Sequence, residues 1–350
     1  MPSTRAVDLP DCRPLLADPG DLTLAFRPVV DLAAAAVAGY EVSARFPGTA
    51  GPAVWFRAAA DAGLGAQLQA LLVHRALDRL PLLPPGAFLL VGVDADTLAA
   101  GPVQEAFTAR PSLGSLVVEV RPGGTGTPDD VVARVAAALR ARGAAVAAGP
   151  WPRTTSAPDL LVADRATTDA FAGTGVVGEG PRVLADGIET ADDLAAALRC
   201  GAALGRGWLF GPPSAAPAPL AASVTDLVGT HDARVRRTAP VLPLVRPVLH
   251  PPAEPTSATP VLEVDGDGVP LAFLLPDATS ATTWRKPVTL SVPPSATTGD
   301  TLRAALLRPV GHRYDPVLCT DEDGRPLGVL RVAELLRAAA VRAPLGRPGS

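Results

Sequence analysis

The fold is decided by two neighbouring runs of sequence, LTLAFRPVVDL at residues 22–32 and VAGYEVSARF at residues 37–46. Both are short, apolar and contain β-branched residues, so each is predicted to form a β-strand. Further runs of this kind recur up to residue 210, at Phe88–Val93, Leu116–Val120, Ala145–Ala148, Leu160–Ala163, Arg182–Ala185 and Leu204–Phe210. The sequence therefore predicts about eight strands within residues 20–213.

Amphipathic segments lie between several of these strands, at Ala53–Leu80, Pro128–Arg142 and Ala191–Cys200. Thr127 and Thr190 each stand shortly before a pair of aspartates, so both are predicted to be helix N-caps. The alternation of strands and helices is typical of a parallel α/β barrel, which is the fold class that we predict.

Length and charge exclude several classes of protein. The 350 residues are enough for two domains or one large barrel. The 31 basic and 35 acidic residues give a net charge of −4, which provides no basic field for nucleic acid. No apolar run reaches the ~18 residues of a membrane span, and the start of the chain lacks a signal-peptide core. The three cysteines are far apart and predict neither a zinc site nor a disulfide framework. We expect a cytoplasmic protein.

The composition changes after residue 213, where SAAPAPLAA at residues 214–222 is typical of a linker. Two similar units follow, TPVLEVDGDGVPL at 259–271 and YDPVLCTDEDGRPL at 314–327. Each predicts a strand, a tight Asp-Gly turn and a second strand, and a helix at Val332–Val341 follows the second unit. We interpret residues 223–341 as a second domain that contains an internal duplication.

Four fragments of the first region resemble, in the expected order, motifs of the EAL-domain family of cyclic di-GMP phosphodiesterases. They are FRPVVDL at 26–32, GYEVSAR at 39–45, LADGIET at 184–190 and GRGWLFGPP at 205–213. The resemblance implies a TIM-like (β/α)8 EAL barrel over residues 20–213. Only 15 positions separate Gly149 from Asp164, and 22 separate Asp164 from Asp186, so helices 5 and 6 of this barrel are expected to be shortened.

The resemblance also implies a site. Family members are two-metal hydrolases, in which oxygen ligands at the ends of barrel strands hold two divalent cations that activate water. Six positions of this chain are relics of the family's metal- or phosphate-binding residues: Glu41, Arg45, Glu119, Asp164, Asp186 and Glu189. Asp186 stands where the family has Glu.

Two alternatives stay open for these relics. Glu41 and Arg45 either form an ion pair across the barrel mouth or retain a part in metal or phosphate binding. Glu119, Asp164 and Glu189 are either solvated carboxylates or a weak residual cation site.

Other positions of the implied site have lost the family residue, and they are Gly92, Gly149, Pro150, Val162, Arg27 and Arg206. The first three replace an Asn and an Asp-Asp pair that bind metal, and glycine and proline offer no side-chain oxygen. We therefore predict no catalytic residues, no bound metal and no cofactor. Arg27 and Arg206 replace glutamines, and either neutralise the remaining acids or bind a different anion.

The second region resembles a tandem pair of cystathionine-β-synthase-type (CBS) modules through its two strand–turn–strand units. The nucleotide pocket of that family uses a Ser or Thr and an Asp, but Arg331 and Glu334 stand at those positions of the second unit. The first unit lacks the corresponding glycine and hydroxyl. We therefore expect a scaffold, or a platform for homodimerisation, and not a site for an adenosyl ligand.

These observations lead to one functional hypothesis and two alternatives. The leading hypothesis is a catalytically inactive, EAL-like regulatory protein that acts in signalling by binding protein partners. The first alternative is a receptor that binds cyclic di-GMP or an adenine nucleotide without hydrolysing it. The second is an active cyclic di-GMP phosphodiesterase.

Overall fold

A computed structural model describes residues 10–123, 127–149, 157–171, 181–256, 259–276 and 283–340. The chain divides into two compact units between Gly229 and Thr230. The domain limits predicted at 213 and 223 stay predictions. No helix in the described ranges is both long enough and apolar enough to cross a membrane.

The first unit contains both the predicted strands and the predicted helices. Its helices are α1 (Arg13–Ala17), α2 (Pro52–Asp61), α3 (Gly65–Leu77), α4 (Ala95–Leu98), α5 (Gly101–Thr108), α6 (Asp129–Ala141), α7 (Arg165–Phe171) and α8 (Ala191–Arg199), and α9 (Ala222–Thr238) spans the division. Its strands are β1 (Thr23–Asp31), β2 (Ala36–Arg45), β3 (Phe88–Asp94), β4 (Leu116–Arg121), β5 (Ala145–Ala148), β6 (Leu160–Ala163), β7 (Arg182–Ala185) and β8 (Leu204–Arg206).

Strands β1 to β8 form one closed barrel in chain order, which confirms the predicted fold class. The strands from β2 to β8 are parallel, but β1 runs antiparallel to both β2 and β8. Strand β1 is therefore the one exception to the predicted parallel order among these eight strands. The cause is the four-residue turn at 32–35, which is too short for the crossover that parallel neighbours need.

The helices that follow β5 and β6 were expected to be short. Between β6 and β7 the helix α7 has only seven residues. The expectation for helix 5 falls largely on residues 150–156, which lie outside the described residues.

The core has two layers because side chains alternate between the faces of a strand. The barrel interior is filled by a cluster of Val29, Phe88, Leu90, Val117, Ala145, Ala147, Leu160, Val162, Leu184 and Leu204. Alternate residues such as Leu89, Val91 and Val118 belong to a second cluster that includes residues of the surrounding helices. The polar residues of the barrel mouth lie directly above this interior apolar layer.

Two helix predictions need correction. The segment Ala53–Leu80 forms two helices, α2 and α3, because the chain breaks at Gly63, whose φ is +70°. Thr190 caps α8 as predicted, in a capping box in which its Oγ1 accepts the N–H of Asp193 at 3.2 Å. Thr127 does not cap α6, because Pro128 occupies the cap position and the Thr127 hydroxyl donates to Asp96 at 3.0 Å.

The last barrel strand is shorter than predicted. It ends at Arg206, and Trp208–Phe210 form a 3-10 turn. The chain turns at Gly207 because it packs directly against the Ile188 backbone, where a Cβ would overlap the Ile188 carbonyl oxygen. Just beyond the turn, Ser214 exchanges two backbone hydrogen bonds with Phe26, at 2.8 and 2.9 Å. The start of the predicted linker is thus bonded to β1.

The second unit contains two three-stranded sheets. Its elements are β9 (Val261–Val264), β10 (Pro270–Pro276), β11 (Thr283–Pro287), β12 (Ser291–Val292), α10 (Thr298–Leu307), β13 (Val317–Thr320), β14 (Pro326–Leu330) and α11 (Val332–Ala339). One sheet has the order β11-β10-β9 and the other has the order β12-β13-β14, with β12 parallel to β13. Helix α11 matches the predicted helix as far as residue 339.

The two hairpins of this unit share one turn geometry. Asp265 Oδ1 accepts the backbone N–H groups of residues 267 and 269, at 2.9 and 2.8 Å, and Asp321 Oδ1 accepts those of residues 323 and 325, at 3.0 and 2.8 Å. Gly268 and Gly324 have φ values of +84° and +81°, a region that glycine enters without strain. The equal turns agree with an internal duplication, while the CBS-like assignment stays a prediction.

Candidate functional site

The candidate site is the mouth of the barrel, at the carboxyl ends of strands β2 to β8. On these strands, the residue two positions beyond an interior residue enters the mouth, because side chains repeat every two residues. On the antiparallel β1 the corresponding residue is two positions earlier. The residues so placed are Arg27, Gly92, Glu119, Gly149, Asp164, Asp186 and Arg206. Glu41 of β2 lies opposite Arg27 in the strand register, and we call these eight residues the mouth layer. The layer thus includes most of the positions that the sequence singled out.

Arg206 is the central cation of the mouth layer. Its Nη1 donates to Glu119 Oε2 at 2.8 Å and its Nη2 to Glu119 Oε1 at 2.9 Å, so the pair is bidentate. The same Nη2 donates to Asp186 Oδ2 at 2.9 Å, and Nη1 lies 3.5 Å from Glu41 Oε1. The Arg206 side chain is 4% exposed and that of Glu119 is 8% exposed, so water screens this pair little.

Glu41 is bound mainly by two other arginines. Arg27 contacts Glu41 Oε2 through Nη2 and through Nε, the latter at 2.8 Å. Arg121 Nη2 lies 3.3 Å from Glu41 Oε1 and 3.6 Å from Glu119 Oε2. Three guanidinium groups therefore contact three carboxylates, and the charges of these six side chains cancel.

Arg121 is the residue of this cluster that the sequence analysis missed. Its side chain folds over Gly92, where a Cβ would overlap the guanidinium carbon of Arg121. Position 92 is the one at which the resemblance implied a metal-binding Asn. Arg121 stands two residues after Glu119, so strand periodicity could have placed it on the same face.

The arginines also set the protonation of the buried acids. Burial raises the pKa of Glu119, but the hydrogen bonds and charge of Arg206, aided by Arg121, outweigh it and leave that pKa below the ordinary value. Burial likewise raises the pKa of Asp186. The hydrogen bond and charge of Arg206, together with the charge of Arg27, outweigh burial and leave this pKa below the ordinary value. Burial lowers the pKa of Arg206, yet its bonds to Glu119 and Asp186 bring it well above the ordinary value. These three directions all favour the charged forms of Glu119, Asp186 and Arg206.

Three predicted residues take no part in the cluster. Arg45 donates to Ser43 Oγ and to the Ala44 carbonyl, each at 3.3 Å, while Glu41 is bound by other arginines. The alternative of a Glu41–Arg45 ion pair is therefore wrong. Asp164 is exposed and accepts the backbone N–H of Thr167 at 2.8 Å. Hydrogen bonding by the Thr167 side chain, followed by this backbone bond, lowers the pKa of Asp164. Glu189 is exposed, and its backbone N–H donates to Asp193 at 3.1 Å.

Gly149, Val162 and Pro150 are the remaining positions at which the sequence lacks the family residue. Among the described residues, the nearest atom to a Cβ at Gly149 would be the Val162 carbonyl oxygen, at 3.8 Å, whereas a Cβ at Gly92 would overlap Arg121. Val162 belongs to the interior apolar cluster, one layer below the mouth. Pro150 lies outside the described residues.

The donor set of the mouth does not fit a pair of divalent cations. Hard cations need several oxygen ligands that face a common point. Here the oxygens of Glu41, Glu119 and Asp186 face guanidinium nitrogens, and a guanidinium repels a second cation. Within the described ranges, no group of three or more His, Cys, Asp or Glu residues is arranged to hold a metal ion.

The barrel has the EAL-type fold, which solved structures share. One is the Bacillus subtilis YkuI protein with an EAL domain, in complex with its substrate c-di-GMP and calcium, at a TM-score of 0.53 and 18% identity over 65% of this chain. The present chain spans 63% of the length of that protein. Another is the PaMucR phosphodiesterase in complex with c-di-GMP, at a TM-score of 0.50 and 18% identity over 59% of this chain and 96% of that one. No family model and no curated protein matches the sequence.

Proposed function

We propose that this chain is an EAL-fold regulatory protein that has lost cyclic di-GMP phosphodiesterase activity. The observation that supports this proposal is the binding of Glu119 and Asp186 by the buried guanidinium of Arg206. A two-metal hydrolase needs such carboxylates as ligands for the ions that activate water and stabilise the phosphoryl charge. Arginine cannot release them by deprotonation, because its side chain stays protonated in proteins.

A hydrolysis assay tests this proposal. The purified chain is incubated with cyclic di-GMP and millimolar Mg²⁺ or Mn²⁺, and the linear dinucleotide product is quantified. The PaMucR phosphodiesterase serves as the positive control. We expect no turnover above the rate without protein. Turnover that disappears in the Glu41→Ala variant would refute the proposal, since it would place a working metal centre at the mouth.

We further propose that the protein acts by binding other proteins, including a second copy of itself. The support comes from the second unit, where Leu307, Val310 and Tyr314 each have more than 70% of their surface exposed. Large apolar side chains grouped on a surface are typical of interaction sites. The CBS-like pair that we assign to residues 223–341 would supply this assembly surface.

A second candidate function is a nucleotide receptor without hydrolytic activity. One observation favours it: Arg45 and Arg121 stand at the barrel mouth with accessible guanidinium groups, and Arg45 has no acidic partner among the described residues. A guanidinium binds a phosphate through two parallel hydrogen bonds. Isothermal calorimetry with cyclic di-GMP and with AMP tests this candidate. Heat of nucleotide binding that disappears in the Arg45→Gln variant would support this candidate. The absence of binding heat at high micromolar nucleotide would refute it.

A further inference from the structure

We infer that Lys286 holds the apolar surface of the second unit in place, so that the first sheet of this unit controls the segment that displays the surface. Lys286 lies on β11 of the first sheet and is the only lysine of the chain. The segment concerned, residues 308–316, follows α10 and carries Val310 and Tyr314, which are 77% and 73% exposed. The use of this surface for self-association rests on the proposed function.

The contacts of Lys286 join β11 to the 308–316 segment. Its Nζ lies 3.4 Å from Asp315 Oδ1 and donates to the Gly311 carbonyl oxygen, also at 3.4 Å. Both partners belong to the segment. The ammonium lies 5.6 Å from the centroid of the Trp284 ring, a distance at which a cation is attracted to the face of the ring. We call these three contacts the latch.

The burial of Asp315 makes the segment depend on the latch. The Asp315 side chain is 9% exposed and that of Lys286 is 24% exposed, so the carboxylate is largely withdrawn from water. Its second oxygen, Oδ2, lies 2.7 Å from His312 Nδ1. A buried carboxylate is strongly unfavourable once the cation beside it is removed. Without the charge of Lys286, we therefore expect Asp315 to move towards water and to take its segment with it.

Arg308 has a different role in the same segment. Its guanidinium donates to the carbonyl oxygens of Arg313, Asp315 and Pro316, so it fixes the local turn. These bonds are internal to the segment. Lys286, by contrast, connects the segment to the first sheet, so its removal is expected to make the segment open more often.

Hydrogen exchange of the 308–316 segment tests this inference. The wild-type chain is compared with Lys286→Gln at a protein concentration at which sedimentation shows single chains, so that no interface protects the segment. The backbone N–H groups of His312 and Asp315 donate to the carbonyl oxygens of Pro309 and His312, at 2.8 and 3.1 Å, and their exchange reports opening. We expect roughly tenfold faster exchange in Lys286→Gln, which corresponds to about 1.4 kcal/mol.

Two variants separate the latch from a general effect on β11. Lys286→Arg keeps the cation and should exchange as the wild type does. Arg285→Gln is the matched control, because it removes the neighbouring cation, whose ion pair with Glu263 at 2.7 Å lies within the first sheet. It should leave the segment unchanged. If Lys286→Gln does not fold, Lys286→Met provides the same test, since it removes the charge and keeps an unbranched stem beside Trp284.

The same variants test the consequence for self-association. Lys286→Gln should raise the Kd of the dimer roughly tenfold, while Lys286→Arg and Arg285→Gln should leave it at the wild-type value. Faster exchange with an unchanged Kd would overturn the claim that Lys286 controls the surface.

The outcomes separate this inference from the proposed function. Unchanged exchange in Lys286→Gln overturns the inference, as does equal acceleration in Lys286→Arg or in Arg285→Gln. A wild type that sediments as one chain at every concentration refutes the proposed self-association, and the exchange comparison then decides the inference by itself.

Discussion

At the barrel mouth, Glu41 and Glu119 are almost completely withdrawn from water, and each is bound by at least two arginines. A buried carboxylate is costly alone and tolerable when its hydrogen bonds and charge are satisfied. The arginines at positions 27, 121 and 206 remove that cost by pairing with these carboxylates. The residues at these three positions and Gly92 are therefore coupled through one cluster.

The contact between Gly92 and Arg121 predicts a pair of unequal substitutions. Gly92→Ala should lower the free energy of unfolding by about 0.5–1 kcal/mol, because the added methyl group displaces the flexible Arg121 guanidinium from Glu41 and Glu119. Gly149→Ala is the matched control, since it also lies in the mouth layer but has ordinary van der Waals space. Urea unfolding measures both. Adding Arg121→Ala should recover part of the loss in the first variant, and equal losses in the two glycine variants would contradict this account of the cluster.

The lowered pKa values of Glu119 and Asp186 predict a dependence of stability on pH. Each group has a folded-state pKa below its unfolded value, so it stabilises the fold above the unfolded value of about 4, and this contribution disappears as the pH falls through the folded-state pKa. Urea unfolding at pH 7 and pH 3 should show a larger drop in the wild type than in Glu119→Gln/Asp186→Asn. The same drop in both proteins would show that Arg206 does not hold these acids in their charged form.

For single residues, the sequence predicted the place in the barrel better than it predicted which side chains contact each other. Glu119, Asp186 and Arg206 were placed at one mouth because each lies near the end of a barrel strand. The Glu41–Arg45 ion pair, which was one of two open alternatives, does not form: Arg45 follows on the same strand, and Arg27, which lies opposite on β1, binds Glu41 instead. Which arginine turns inward depends on the free space above Gly92, and that space exists only once the strands are in register.

Among the elements, α8 shows how a short helix is fixed behind the mouth. Its cap residue Thr190 accepts the N–H of Asp193, and Asp193 Oδ2 accepts the backbone N–H of Thr190 at 2.9 Å. Asp193 also pairs with Arg165 of α7 at 3.1 Å. The cap thereby connects the two helices that flank β7, the strand that carries Asp186.

This arrangement predicts a measurable cost for removing the cap. Thr190→Ala should lower the free energy of unfolding by about 1 kcal/mol, because it leaves first-turn N–H groups without an acceptor. Thr190→Ser keeps the hydroxyl and should restore most of the loss. Urea unfolding of the three proteins is the measurement, and a Ser variant as unstable as the Ala variant would assign the effect to the methyl group instead.

The bounds of a strand or helix were predictable where they depend only on residues that are neighbours in the sequence. The strands β5, β6 and β7 have the predicted bounds, since β5 and β6 are uninterrupted apolar runs and β7 is an apolar run that follows Arg182. The direction of β1 was not predictable from periodicity, because an apolar run looks alike in parallel and antiparallel strands. The end of β8 at Arg206 depends on the approach of Gly207 to Ile188, a contact between residues of two different connections.

At the scale of the whole molecule, the chain joins a closed barrel to a unit with two similar hairpins. The second unit displays apolar side chains on the segment after α10. Arg308 supports that segment, as its guanidinium donates to the carbonyl oxygens of Arg313, Asp315 and Pro316 at 3.3, 2.6 and 3.3 Å. An apolar surface that side-chain hydrogen bonds hold in place is suited to association, because little further order is lost on binding.

The proposed self-association predicts a dimer that dissociates when exposed apolar side chains of the second unit are replaced by polar ones. Sedimentation equilibrium should give the wild type twice the mass of one chain, and Leu307→Ser/Val310→Ser should shift it to the mass of one chain. Each apolar side chain buried in an interface contributes about 1.5–3 kcal/mol, so losing two per protomer is enough to dissociate a moderate dimer. Leu82→Ser, which changes a comparably exposed leucine on the first unit, is the control and should leave the mass at two chains. A wild type that sediments as one chain, or a double variant that stays dimeric, would contradict this use of the second unit and leave the barrel mouth as the surface to investigate for partners.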